Sequence, residues 1–315
     1  MRAGLQGAEV RIDGSAFSKF RFCGLAYRER YEEVHPSACA MQFVPETALL
    51  NAGGPIPPEA HTPHDHGGEP RGLVSVAPTP DRDFGTRFHQ LVANHRRQQA
   101  RNAGGDPELF REVQYPEWPD EDIELECQAV WAQYQAHYVG DALRILSVER
   151  TETLAIPGTE HELTVRIDAV VRHADGTIGP LDTKTESKPG YNFREDWAGR
   201  TQASLYLWAL TQLYPKERVS RLVVDVVTRG TARRGPTFYR LDDISRPQES
   251  LDEAIRNVIW VCEDIEESRR TGFWRSNMNI CKQGWKRCDY YDLHVYGRTL
   301  ENLAKFKPAE AYLDV

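Results

Sequence analysis

From Leu143 to Glu186 the chain alternates apolar and polar residues with a period of two, and on either side of that stretch the spacing lengthens to that of a helix. LRILSVERTETLA (143–155), HELTVRIDAVVRH (161–173) and TIGPLDTKTE (177–186) are rich in β-branched residues, with Asp175-Gly176 as a turn signal between the last two. They are read as an antiparallel meander. Ahead of it, Phe84 to Arg101 places Phe88, Leu91 and Val92 at helical spacing, and Glu121 to Tyr138 does likewise, so each is expected to be a helix with one buried face. Ser15 to Tyr31 is a further helix, N-capped by Ser15 and interrupted near Gly24. After the meander, Asp196 to Tyr214 returns to helix and Arg221 to Thr228 is a nearly continuous apolar strand. Thr237 to Leu241 pairs with that strand, and Leu251 to Arg270 is a last long helix. Between Pro45 and Pro80, Pro, Gly and His dominate, which marks a long loop or inserted lid.

This order defines an α/β fold with a mixed central β-sheet flanked by helices. It is taken as a single domain over residues 1–315, with a Pro/Gly/His-rich insert at 45–80 and a Cys/His segment at 281–294. A chain of 315 residues with 40% hydrophobic and 27% charged content can bury one large core. No stretch approaches the roughly 18 to 20 apolar residues of a membrane helix, and Met1-Arg2-Ala3-Gly4 leads into charged sequence, so a cytoplasmic location is expected. The net charge of −8 argues against a surface that coats nucleic acid broadly, without excluding a local basic groove. His95-Arg96-Arg97 with Arg101, and Arg229 with Arg233-Arg234, read either as phosphate contacts or as solvated faces. Six cysteines in a cytosolic chain point to metal ligation or burial instead of disulfides, and Cys39, Cys127 and Cys262 are read as small buried hydrophobes.

Candidate chemistry lies in the meander. Thr164, Arg166 and Asp168 share one strand face and Asp182 shares a face with Lys184. A two-residue Asp175-Gly176 turn would set Asp168 opposite Thr183, so an odd-length loop or a bulge near Gly179-Pro180 is required for the two acids to meet. Phosphodiester hydrolysis needs an activated water, charge neutralisation and help for the leaving oxygen, which divalent cations supply. Hard cations such as Mg²⁺ take carboxylate oxygens and Mn²⁺ tolerates imidazole as well. Asp168 and Asp182 are therefore candidate metal ligands, joined by the Thr183 carbonyl, and Lys184 is the candidate group to orient the attacking water. Gly85 and His89 are stacked on one helix face, where the glycine leaves room for a metal or a nucleic-acid backbone. Gln202 and Tyr206 likewise share a face suited to holding a DNA strand by a hydrogen bond and stacking.

Gly85-x-x-x-His89, the Asp168 strand, Asp182-x-Lys184 and Gln202-x-x-x-Tyr206, in this order, resemble the PD-(D/E)XK nuclease superfamily. Within it, they are similar to the RecB-like exonuclease branch that includes helicase-nuclease subunits, CRISPR adaptation nucleases and phage exonucleases. The resemblance implies a restriction-endonuclease-like core and divalent-metal-dependent DNA cleavage, with His89, Asp168 and Asp182 as metal ligands. Lys184 would be the catalytic base or water positioner. It implies action on single-stranded DNA or duplex ends, in recombination, repair, CRISPR or phage settings. Val165 departs from the small glycine common before the family's Ile-Asp.

Several members of that branch pin the N-terminal helix to the C-terminus with an iron-sulfur cluster. By resemblance Cys23 is the early ligand and CKQGWKRCDYYDLH supplies Cys281 and Cys288, with His294 where the family places its last cysteine. Three cysteines and a histidine could hold a [4Fe-4S] cluster or tetrahedral zinc, or the group could be a metal-free remnant. The function expected is a Mg²⁺- or Mn²⁺-dependent DNA exonuclease. Two readings of other classes are a non-cleaving DNA-end-binding or scaffold subunit, and a Cys/His metal-binding interaction protein.

Overall fold

A computed structural model of the protein describes residues 10–31, 73–75, 80–102, 121–141, 143–186, 192–230, 233–277, 279, 281–283 and 286–308. Cys39, most of the 45–80 insert and its histidines lie outside the described residues. In chain order the elements are β1 (Arg11–Asp13), α1 (Gly14–Phe22), α2 (Gly24–Tyr31), β2 (Leu73–Ser75), α3 (Pro80–Asn102) and α4 (Glu121–His137). The meander follows as β3 (Arg144–Ala155), β4 (Glu162–Arg172) and β5 (Ile178–Glu186). Then come α5 (Phe193–Gly199), α6 (Thr201–Leu213), β6 (Arg221–Thr228), β7 (Thr237–Ser245) and α7 (Gln248–Thr271). The chain closes with β8 (Lys282–Gln283), β9 (Lys286–Arg287), α8 (Tyr291–Val295), α9 (Leu300–Leu303) and β10 (Phe306–Pro308).

The expectation of one domain meets a division into two compact units: Arg11–Gly14 with Thr79–Ile259, and Met1–Val10 with Ser15–Pro78 and Trp260–Val315. The first unit holds a six-stranded mixed sheet in the order β1-β4-β5-β6-β7, with β3 also on β4. β3, β4 and β5 are antiparallel, β5 and β6 parallel, and β6 and β7 antiparallel. A strand has two edges. β3 lines one edge of β4 throughout, so β1, parallel at Asp13↔Thr164, and β5, antiparallel at Ala169↔Leu181, must share the other.

The link between β4 and β5 fixes which side chains face each other. His173 N–H donates to the Thr177 carbonyl at 2.8 Å, leaving a three-residue loop, Ala174-Asp175-Gly176. Gly176 takes φ +80°, the left-handed conformation that such loops place on glycine. Asp175 secures the loop by accepting from the Thr177 N–H at 3.0 Å and hydroxyl at 2.6 Å. From Arg172↔Ile178 the ladder runs without a bulge to Ala169↔Leu181, and one step further sets Asp168 opposite Asp182. The odd loop meets the register demand read from the sequence. β5 can start beside β6 only with glycine at position 179, because a Cβ there would lie 1.9 Å from the Arg221 carbonyl oxygen.

Helices pack on this sheet according to their apolar stripes. Phe84, Phe88 and Val92 of α3 meet Ile123, Cys127, Val130 and Tyr134 of α4 over Val227. Burying each phenylalanine contributes about 1.5–3 kcal/mol. The helix expected over Asp196 to Tyr214 is two helices, because Arg200 leaves helical geometry at ψ 131°. α6 is buried on all sides from Ala203 to Leu210, as befits a helix inside a core.

The second unit takes up α1 from Ser15 onward, helical geometry already beginning at Gly14, one residue ahead of the expected cap position, and the break before α2 falls at Cys23. Gly24 lets α2 lie against the 275 backbone, where a Cβ would be 3.1 Å from the Arg275 carbonyl oxygen. Cys23, Ala26, Tyr290, Leu293, Leu303 and Phe306 form its core, and β10 pairs with β2. Among the described residues no helix is long and apolar enough to cross a membrane.

Candidate active site

Where the β4–β5 ladder stops, side chains take over from main chain. The Thr183 N–H donates to the Asp168 carboxylate at 2.8 Å, and His89 Nδ1 lies 3.4 Å from the same oxygen. Asp182, fully buried, pairs with Lys184, whose Nζ is 3.1 Å from Oδ1 and 2.8 Å from Oδ2. Alternation along β5 puts these two side chains on one face. The site thus gathers Asp168, Asp182, Lys184 and His89, from β4, β5 and α3.

Burial pushes the Asp182 carboxyl up, and Asp168 adds to that, against the pull of Lys184 and His89. For Asp168 burial acts in the same upward direction, but His89, Lys184 and the Thr183 N–H together outweigh it and hold the carboxyl well below the ordinary carboxylate range. Burial would lower Lys184, yet Asp182 and Asp168 raise it, so its ammonium is stabilised between them.

Gly85 has a different reason from the one expected. A Cβ there would sit 2.8 Å from Thr185 Oγ1, so the glycine lets α3 approach β5 and so sets how far His89 reaches. On the opposite helix, Gln202 Nε2 donates to the Tyr206 hydroxyl at 2.8 Å. Burial raises that phenol well above its usual value, and the charges of Asp182, Asp168 and Asp13 add to the shift. The Gln202–Tyr206 pair therefore stands within electrostatic reach of the acids.

No sequence pattern marks Asp13, Trp197 or Arg200. Lys184 Nζ is 5.4 Å from the centroid of the Trp197 ring, which is completely buried, and the Arg200 guanidinium lies 4.4 Å over the same ring. Asp13 ends a three-residue strand too short to show a period, and Arg200 sits at a helix break that periodicity runs through.

Arg96 and Arg97 are corrected. Both are buried, at 4% and 3% exposure, because this side of α3 faces inward. Arg96 donates to Asp225 at 2.9 Å and Arg97 to Asn94 at 2.9 Å, so neither offers a surface contact for phosphate. Arg229 is also engaged, with Glu126 at 2.9 Å and Asp81 at 2.7 Å.

The donor types at the acids suit a hard divalent cation: two carboxylates, an imidazole, and one buried oxygen, Asp182 Oδ2, that has an ion-pair contact but no hydrogen bond. Among the described residues no three His, Cys, Asp or Glu side chains stand at metal-holding spacing. At the acids, Lys184 and the Thr183 N–H occupy the oxygens instead.

In the second unit, Cys23, Cys281 and Cys288 come together. The Cys288 N–H donates to the Cys281 carbonyl at 2.8 Å across the β8–β9 hairpin. Burial and the neighbouring thiols Cys288 and Cys23 raise the Cys281 thiol. His294 is turned to another partner, with Nε2 3.6 Å from Oε1 of the buried Glu29, which also takes Arg28 at 3.0 Å and Arg298. The four residues do not form one donor set, so the [4Fe-4S] or zinc assignment does not fit this arrangement.

A mixed sheet whose antiparallel strands part beside two acids and a lysine, between helices bearing a histidine and a glutamine-tyrosine pair, frames the candidate site. The sequence profile of the PD-(D/E)XK nuclease superfamily matches residues 65–293, and the chain belongs to that superfamily. A search of curated proteins returns no match. Among solved structures, the chain is similar to a provisionally named exonuclease from Eubacterium rectale, at 13% identity and TM-score 0.41, covering 70% of this chain and 82% of that one. It is also similar to the protein SSO0001, at 15% identity and TM-score 0.28, covering 56% and 74% respectively.

Proposed function

We propose that the protein is a divalent-metal-dependent deoxyribonuclease that digests DNA from ends. The observation that carries this reading is the meeting of Asp168 and Asp182 across parted strands, with Lys184 beside them. Asp168, Asp182 and His89 would hold the metal, with the Thr183 carbonyl as a further donor. A bound Mg²⁺ or Mn²⁺ would supply an acidified water and neutralise phosphate charge. Lys184 places its ammonium where negative charge develops on the phosphate. Gln202 and Tyr206 line the other side and would hold the strand being cut. Preference for ends is implied by the resemblance of Gly85-x-x-x-His89 and Gln202-x-x-x-Tyr206 to the exonuclease branch.

End-labelled linear DNA, single-stranded and duplex, should be shortened in Mg²⁺ or Mn²⁺ and left intact in EDTA, whereas covalently closed circles should survive. Cleavage that persists in EDTA would overturn metal dependence, and equal loss of circles would overturn end preference. The Gly85–Thr185 contact gives a geometric test of the same site. Gly85→Ala is expected to lower kcat by about 10- to 100-fold by shifting His89. Adding Thr185→Ala should restore much of the loss. A fully active single variant would show that this spacing does not matter.

A further inference from the structure

We propose that Arg200 is a phosphate-binding residue that positions the DNA backbone over Lys184. The inference rests on the nuclease reading above and assigns a strand contact to a residue outside its motifs. Arg200 is fixed at the junction of α5 and α6. Its N–H donates to the Trp197 carbonyl at 3.2 Å and its own carbonyl accepts from Ala203 N–H at 3.2 Å. The guanidinium lies 4.4 Å over the ring of Trp197, which is itself 0% exposed. Lys184 Nζ approaches that ring to 5.4 Å, so two side-chain cations share one indole.

Two cations gathered on one indole repel each other, and among the described residues Lys184 is answered by Asp182 while no carboxylate pairs with Arg200. An anion reaching both would relieve that repulsion. The guanidinium lies over the indole while Arg200 itself is exposed, and its planar fork of N–H donors is the geometry that matches phosphate oxygens in pairs. The amino end of the thirteen-residue α6 starts one residue on, with no acidic side chain in its first turn, and adds partial positive charge. A backbone phosphate adjoining the one cut would meet these groups, with Gln202 and Tyr206 a half-turn and a turn and a half further along the helix.

The test compares full-length wild type, Arg200→Ala and Arg200→Lys. Anisotropy of a fluorescent single-stranded oligonucleotide is measured in EDTA over a series of salt concentrations, and kcat and KM are measured in Mg²⁺. Arg200→Ala is expected to weaken binding about 10-fold and raise KM in proportion. The slope of log affinity against log salt should become shallower by about 0.7, the value for one lost phosphate contact on a single strand. Arg200→Lys should keep the slope and recover part of the affinity, since it keeps the charge and loses the fork. Unchanged affinity and slope in Arg200→Ala would overturn the proposal, as would a loss that tracks a fall in melting temperature. Wild type that binds without cutting would overturn the nuclease reading alone, with the salt slope still deciding Arg200. Wild type that does not bind would overturn Arg200 as well.

Discussion

Asp182→Asn is expected to lower DNA cleavage by about 10³-fold or more while the protein stays folded and still binds DNA. The carboxylate is fully buried, its Oδ2 has no hydrogen bond, and its charge answers the Lys184 ammonium. Asparagine keeps the volume and the Oδ1 acceptor that Lys184 Nζ meets at 3.1 Å. What it removes is one negative charge at the centre of the site. Alanine would be a poorer probe, because it would strip the ammonium of its partner and leave a largely buried cation exposed to the full desolvation penalty. The measurement is single-turnover cleavage of labelled DNA, with calorimetric Mn²⁺ titration alongside. Mn²⁺ affinity should fall together with rate. A variant within about tenfold of wild type in both would remove Asp182 from the chemistry.

The largest expected loss of stability is at Asp225, about 3–5 kcal/mol on substitution by alanine. This acid stands on β6 beside Thr183 and is completely buried. It accepts from Arg96 at 2.9 Å, from the Tyr138 hydroxyl at 2.8 Å and from the Tyr134 hydroxyl, while Arg240 Nε lies 3.5 Å away. Arg240 in turn is held by Asp141 at 2.7 Å. Deleting the acid leaves the Arg96 guanidinium inside the protein with its charge unanswered. Burial pushes the Tyr138 and Tyr134 hydroxyls far above their usual range, so neither ionises to replace it. A fall in melting temperature of roughly 6 °C or more is expected. Pairing Asp225→Leu with Arg96→Met should recover part of it, because two matched apolar side chains need no partner. A loss under about 1 kcal/mol for Asp225→Ala would show that the network contributes little.

The contrast between Arg96 and Asp168 shows where sequence is legible. Period-two alternation around Asp168 reports burial directly, because a half-buried strand must put its apolar residues on one side. The meander boundaries at 144–155, 162–172 and 178–186 lie within a residue of the alternating stretches. The need for an odd loop followed from parity alone. His95-Arg96-Arg97 reads as a surface patch because charge usually marks solvent, and the acid that draws Arg96 inward lies 129 positions away on another strand. No local pattern carries such a pairing. α6 shows the same limit: its burial on every side comes from the sheet and helices around it, and its break from α5 is a matter of one residue's backbone angle. Likewise, the partner chosen by His294 depends on Glu29, some 265 residues earlier, which no local pattern in the Cys/His segment shows.

Along the edge of β4 that β1 and β5 share, Val165 to Asp168 fall between the two pairings and carry no ladder partner from either strand. Asp168 therefore owes its position to an interruption whose length is set by where β1 stops and where β5 turns away. A few added residues continuing β1 past Asp13 would zip that interval closed and heal the sheet. The gap would close with every one of its side chains still in place, so the length of an inconspicuous three-residue strand decides whether Asp168 stands clear of the ladder.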